Sequence, residues 1–291
     1  MTLDLSHLAN DIREQAFESS VARVRHVQEA RWITHERVQR VLDELEWRFD
    51  YPTCSRMPCL LLYGDSGMGK TMAIEKFKRL HPPSYDHKAG ITKSPVVIVN
   101  MPSSPKERRF FARLLESLHA PFSPSEGLIA LETLAMRVLR RVEPKILIID
   151  EAHDLLAGSY RDQRCALNLL KGLANDLKIP VVAVGTEDAR HAIQTDPQVA
   201  SRFDPLHLAR WKESDAFRNF VAAFGKLLPL RKASAFGQRE MVRLLLDRSE
   251  GITGRATRLI SRAAAEAIQD GTELVTIERI DEISRRTTMT A

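Results

Sequence analysis

Residues Gly64-Asp65-Ser66-Gly67-Met68-Gly69-Lys70-Thr71 (GDSGMGKT) decide the fold. They fit G-x-x-x-x-G-K-[ST], the phosphate-binding (Walker A) pattern. The four residues before them, Leu60-Leu61-Leu62-Tyr63, are an apolar run suited to a buried strand. In the stretch after them Ile74, Phe77 and Leu80 recur at helical spacing. Strand, glycine loop and helix together are the setting the pattern requires. The glycines at 64, 67 and 69 let the backbone turn tightly and bring N–H groups up to phosphate oxygens. The following helix adds its positive N-terminal end. Lys70 offers a compact cation to the terminal phosphates, and the Thr71 hydroxyl offers a ligand to Mg²⁺. Gly64, Asp65, Ser66, Gly67, Met68, Gly69, Lys70 and Thr71 are therefore the expected nucleotide-binding residues.

A second apolar run, Lys145-Ile146-Leu147-Ile148-Ile149, ends in Asp150-Glu151. A strand apolar on both faces belongs in a parallel sheet covered by helices. Its acids then lie at the carboxyl end, where open α/β sheets hold ligands. Asp150 is placed to hold Mg²⁺ directly or through water, and Glu151 to polarise the water that attacks the γ-phosphate. The four letters Asp150-Glu151-Ala152-His153 also spell a helicase signature. The remaining chain is too short and too helical for a second helicase lobe, so His153 reads as a local hydrogen-bonding residue. A third run, Val181-Val182-Ala183-Val184-Gly185, ends at Thr186. If that strand lies between the other two, Thr186 faces the γ-phosphate or the attacking water; otherwise it caps the next helix.

The bulk numbers bound the class. The 291 residues make one large domain or two smaller ones, and 44% hydrophobic with 28% charged residues is ordinary for a globular protein. No apolar run approaches the ~18 residues of a membrane span, and the polar, acidic start is unlike a signal peptide. Cys54, Cys59 and Cys165 are too scattered for a zinc site and read as reduced thiols, which points to the cytoplasm. The net charge of +5 permits a nucleic-acid partner without requiring one.

Strands are expected near 59–63, 96–100, 146–150, 181–185 and 205–209. Helices alternate with them near 70–80, 106–119, 125–142, 162–177 and 187–194, the pattern of a parallel α/β sheet. Pro82 to His87 reads as a loop. Residues 1–50 read as two helices, one marked by Leu5, Leu8, Ile12, Val21, Val24 and Val27, the other by Val38, Leu42, Leu45 and Phe49, with Thr34 as its cap. From about 213 only helices are indicated. The expected division is a helical extension over 1–50, an α/β nucleotide domain over 51–212 and a helical lid over 213–291. The tail after Thr287 and the first helices are placed for partner contacts.

Two arginines would complete the site. Arg202, just before the fifth strand, either reaches a neighbouring subunit's γ-phosphate or pairs on the surface with Asp204 or Asp196; such an arginine is worth roughly 10³–10⁵ in rate in hydrolases that use one. Arg255 opens a lid helix, where its charge is unfavourable at its own helix N-terminus, as suits an external anion. Arg258 is the competitor.

The GDSGMGKT loop, the ILIIDE strand, the strand-end Thr186, the SRF arginine and the GITGR turn come in the order of the AAA+ ATPases, which the chain resembles over about residues 35–285. More narrowly, the IIDEAH strand, the VGTEDA turn and the SRFDPLHLARW segment resemble the TniB family and its relative TnsC. The resemblance implies a P-loop NTPase fold: a five-stranded parallel sheet flanked by helices, with a helical leader and a helical lid. It implies Mg²⁺ and ATP as cofactors and slow hydrolysis by Glu151, Arg202 and Thr186. It also implies ATP-dependent binding to duplex DNA, assembly as a ring or helical filament, and regulation of a DDE transposase, with a TniQ-type protein as a further partner. Asp65 and Met68 fill variable loop positions, and a threonine replaces the commoner asparagine at position 186. In an AAA+ ring the pore follows the second strand, so Ser103, Ser104, Lys106, Arg108 and Arg109 are the expected DNA contacts. Without interleaved aromatics these would be backbone contacts with strong salt dependence. The alternative is a solvated helix start. A second cluster, Arg137, Arg140 and Arg141, lies at a helix end. Rival readings are a helicase loader or replication initiator, and a secretion-type ATPase acting on protein.

Overall fold

The computed structural model describes residues 4–88 and 90–288, and the chain divides into two compact units. One unit holds residues 1–36, 67–69 and 209–291; the other holds 37–66 and 70–208. The chain opens with 3₁₀ turns at Asn10–Ile12 and Gln15–Phe17 and the helix α1 (Ser20–Gln28). Then follow α2 (Glu36–Phe49), β1 (Cys59–Tyr63), α3 (Lys70–Leu80), β2 (Ser84–Asp86), β3 (Ile91–Lys93), β4 (Val96–Asn100), α4 (Glu107–Ser117) and α5 (Leu128–Val142). The α/β unit finishes with β5 (Ile146–Asp150), a 3₁₀ turn at Ala152–Leu156, α6 (Tyr160–Leu177), β6 (Val181–Gly185), α7 (Glu187–Gln194), α8 (Pro197–Ala200) and β7 (Phe203–His207). Helices α9 (Asp215–Gly225), α10 (Arg239–Ser249), α11 (Thr253–Gln269) and α12 (Ile277–Thr288) complete the chain.

Five strands pair in parallel in the order β4-β5-β6-β1-β7. The fold is the expected α/β one, a five-stranded parallel sheet flanked by helices with further helices toward both ends of the chain. The sequence causes this directly. β5 and β6 are buried at every residue, which only a sheet covered on both faces allows. Phe110, Phe111, Leu114 and Leu115 of α4, Leu131, Ala135 and Leu139 of α5, and Ala166, Leu170 and Leu173 of α6 fill the layer against Leu147, Ile149, Val181 and Ala183. These spacings of three and four put one apolar stripe of each helix on the sheet. β6 lies between β5 and β1, so the ends of all three expected motif strands are side by side.

Three local expectations change. Residues 82–87 are not all loop: Ser84–Asp86 pairs antiparallel with Ile91–Lys93, and Lys93 reaches Asp86 at 3.4 Å and Glu143 at 2.9 Å. The edge strand β7 begins at Phe203 rather than 205 and contains Pro205, which an edge tolerates. The first long helix is broken, because Ser19 caps a new helix by accepting the Ala22 N–H at 3.3 Å. That helix buries Arg23 and Val27 and leaves Val21 exposed.

In the helical unit Leu5, Leu8, Ile12 and Ala16 form a small core with Leu227. Arg23, 1% exposed, makes two 2.7 Å bonds to the Glu273 carboxylate and donates to the Pro229 carbonyl at 3.1 Å. Trp211 packs with Phe217, Phe220 and His35. The Thr34 hydroxyl accepts from Trp32 Nε1 at 3.0 Å, and because α2 begins at Glu36 the residue just before it is His35 rather than Thr34. Helix α2 belongs with the sheet unit, so the expected extension over 1–50 is divided near Glu36. The tail beyond residue 288, expected as a partner contact, lies outside the described residues. No helix among the described residues is long and apolar enough to cross a membrane.

Candidate functional site

The loop from Gly64 to Thr71 leaves β1 and enters α3 as the sequence requires. Gly64, Gly67 and Gly69 have φ of 156°, 79° and 99°. At Gly64 the need is also steric: a Cβ would lie 2.4 Å from the Leu208 carbonyl oxygen. Within the helical unit the Gly67 carbonyl accepts the Gly254 N–H at 2.8 Å. The Lys70 ammonium is buried and donates to the carbonyls of Gly64 and Asp65, each at 2.8 Å. An ammonium has three donors, so one remains for a further acceptor. Burial pulls the Lys70 pKa below the ordinary lysine value, and Asp150, Glu151 and Asp65 work against that shift.

Asp150 ends β5 almost fully buried. Its Oδ2 accepts from Thr71 Oγ1 at 2.8 Å, and its Oδ1 accepts the Glu151 N–H at 2.8 Å. The fold thus brings together the two residues expected to hold the metal, across about 80 residues of chain. A hydroxyl and a carboxylate are hard oxygen donors, the kind that hold Mg²⁺ together with substrate phosphates and water. This donor set fits the ion.

Glu151 has a left-handed backbone, φ 55° and ψ 36°, uncommon for a residue with a side chain. Its carboxylate is about half exposed and lies beside His153, Nδ1 to Oε2 at 3.2 Å. Such strain concentrates at functional positions. Thr186 stands at the end of β6, before α7, but its hydroxyl caps nothing; Oγ1 is buried without a hydrogen-bond partner among the described residues. Buried polar atoms are rarely left so.

The remaining candidates are spread around this centre. Arg202 pairs with neither Asp204 nor Asp196; its Nη1 donates to Asn175 Oδ1 at 2.6 Å. Asp204 is taken by the buried Arg48 at 2.9 Å, and Asp196 accepts from Gln198 and Val199 at the start of α8. Arg255 lies in the first turn of α11, half exposed, 2.8 Å from Glu250. Ser103, Lys106 and Arg109 are exposed and Ser104 is half-buried. Arg108 is committed locally, donating through Nε to the Glu126 carbonyl at 3.0 Å and through Nη2 to the Pro124 carbonyl. The pairs of Arg23 with Glu273 and of Arg48 with Asp204 are not signalled by any local pattern, because the partners lie far apart in the chain; Glu44, four residues before Arg48 and 2.6 Å from it, is the local partner. His153 is signalled only by its place two residues after Glu151.

The strand order, the glycine loop after β1 and the acid pair after β5 define the AAA+ class of ATPase fold. Among solved structures the chain is similar to Cdc6p from Pyrobaculum aerophilum (16% identical, TM-score 0.63, covering 87% of this chain and 68% of that one). It is similar to the Aeropyrum pernix ORC1 protein, solved in complex with DNA (16%, TM-score 0.62, 88% and 66%). It is also similar to Drosophila ORC bound to DNA (16%, TM-score 0.61, 92% and 65%). The chain spans about two thirds of the length of these proteins, and at such identity the likeness is one of fold. No curated protein sequence matches. The sequence profile of the bacterial TniB protein matches residues 23–213, and the chain belongs to the TniB family.

Proposed function

We propose that this protein is an ATP-dependent regulator of DNA transposition. It binds duplex DNA through the backbone with little sequence preference. It assembles with its own copies into a ring or helical filament and presents target DNA to a DDE transposase, with a TniQ-type targeting protein as a further partner. The observation that carries this reading is membership of the TniB family, with the Thr71–Asp150 contact as its chemical support.

In this reading the backbone N–H groups of Gly64 to Gly69 and the Lys70 ammonium hold the β- and γ-phosphates of ATP. Thr71 and Asp150 hold Mg²⁺, which when bound neutralises charge building up on the phosphates. Glu151 orients the attacking water, and Thr186 donates its free hydroxyl to that water or to the γ-phosphate. Arg202 exchanges Asn175 for the γ-phosphate of a neighbouring copy, and Arg255 exchanges Glu250 for the phosphates of its own. Ser103, Ser104, Lys106 and Arg109 meet DNA phosphates, while Arg108 braces the segment from within.

ATP turnover by the purified chain, with and without duplex DNA, tests the reading. DNA should raise turnover and ATP should raise DNA affinity. Removing the Lys70 ammonium deletes a charge-assisted bond of about 2–3 kcal/mol, so Lys70→Ala should weaken ATP binding by roughly 30- to 150-fold and abolish ATP-dependent DNA binding. Tight, ATP-stimulated DNA binding by that variant would refute the scheme. The fold likeness to Cdc6p and ORC proteins favours a second reading, a helicase loader or replication initiator. A DNA response unaffected by the transposase, together with binding to a replicative helicase, would favour it.

A further inference from the structure

Glu151 is an odd place to hang a water-orienting group. Its carboxylate is about half exposed, and a glutamate carries three side-chain torsions. Its main chain, by contrast, is fixed on both sides. The Glu151 N–H donates to Asp150 Oδ1 at 2.8 Å, and its carbonyl accepts the Asp154 N–H at 3.0 Å. The Asp150 carbonyl is held in turn by the Met101 N–H at 2.8 Å. The peptide cannot move to aim the carboxylate, so some side chain must.

The 3₁₀ turn Ala152–Leu156 supplies one. His153 Nδ1 lies 3.2 Å from Glu151 Oε2. That nitrogen is buried and has no aligned hydrogen bond among the described residues, which leaves the carboxylate as its close polar neighbour. The main chain that carries the ring is held, because its turn is packed on the end of β6. A Cβ at Gly185 would lie 3.0 Å from the His153 backbone nitrogen and 2.6 Å from Ala189 Cβ.

We propose that His153 is a positioning residue that confines the Glu151 carboxylate to the orientation in which it orients the attacking water. This rests on the proposed role of Glu151. The ring acts through Glu151 and does not touch the reacting atoms. A neutral imidazole with its proton on Nδ1 serves, since that nitrogen then donates to the carboxylate.

The test uses the full chain and three substitutions, with steady-state kinetics, Mg-ATP affinity and thermal melting measured for each. His153→Ala should lower kcat about tenfold, the size usual when a supporting group is removed, while KM, nucleotide affinity and melting temperature stay near the parent's. His153→Asn, whose amide can donate from nearly the same place, should recover most of that loss. Glu151→Gln should be nearly inactive, and adding His153→Ala to it should change nothing further. Full kcat in His153→Ala, a loss shared equally by His153→Asn, or a further loss in the double variant would each overturn the proposal. A Glu151→Gln variant that turns over at the parent rate would instead overturn the reading beneath it.

Discussion

Thr186→Val should make the protein more stable and less active at once. Valine is nearly the same shape as threonine and exchanges the hydroxyl for a methyl group. The Thr186 hydroxyl is buried, has no hydrogen-bond partner among the described residues and does not cap α7. Leaving a hydroxyl so placed costs about 1–3 kcal/mol of desolvation, which valine recovers without forfeiting a bond. Taking the lower figure, and about 2–4 °C per kcal/mol for a unit of this size, the nucleotide-free melting temperature should rise by about 2–4 °C. Turnover should fall, because a transition-state hydrogen bond to phosphate or water is removed; deleting one such donor costs about 10²-fold in well-studied sites. Differential scanning calorimetry without nucleotide and a phosphate-release assay measure the two halves. A lower melting temperature would show that the hydroxyl has a structural partner, and unchanged turnover would remove Thr186 from the chemistry.

Glu273→Ala should destabilise the helical unit by about 3–5 kcal/mol, since it strands the buried Arg23; Arg23→Met with Glu273→Leu should restore most of the loss in a melting experiment. Burial alone would raise the Glu273 pKa, but the bonds from Arg23 and Arg231 outweigh it and hold the carboxyl below its usual value. A lowered acid contributes stability that is complete above its unfolded pKa and is lost as pH falls through the folded one, so Glu273→Gln should flatten the acid limb of a pH-stability curve. Burial lowers the Lys70 pKa, so affinity for Mg-ATP should begin to fall with rising pH earlier than an ordinary lysine would cause, and Lys70→Arg should remove that early fall in a titration calorimeter. Replacing Lys106 and Arg109 by alanine should reduce the slope of log affinity for duplex DNA against log salt by about 0.9 for each phosphate no longer neutralised, measured by fluorescence anisotropy.

The centre of the sheet was readable because β5 and β6 are buried on both faces and therefore almost wholly apolar, so they announce themselves without any partner in view. The loop Gly64–Thr71 and the acids Asp150 and Glu151 were readable for a second reason, since each sits where its strand stops. The β2–β3 hairpin was not readable, because its residues are exposed or half-buried and carry no apolar alternation, while Pro82 and Pro83 suggest a loop. The stripe Leu5, Leu8, Ile12 misled for a related cause: 3₁₀ turns folded over a small core bury residues at nearly the same spacing as a helix. Arg23 and Arg48 look like surface cations in one dimension. Carboxylates make their burial tolerable: the distant Glu273 for Arg23, and for Arg48 the distant Asp204 together with Glu44 one helical turn away.

The proline in β7 bears on how copies of this chain can meet. The Leu208 N–H bonds to the Tyr63 carbonyl and the Arg202 carbonyl accepts the Cys59 N–H, so even-numbered residues of this edge turn their main-chain groups inward to β1. Odd-numbered Pro205 therefore faces outward, at the middle of the rim, where a sixth strand would look for a donor and find a ring carbon. Sheet growth is blocked on that border. A second copy docking on that border would have to do so through side chains, and would part from it without unzipping a ladder.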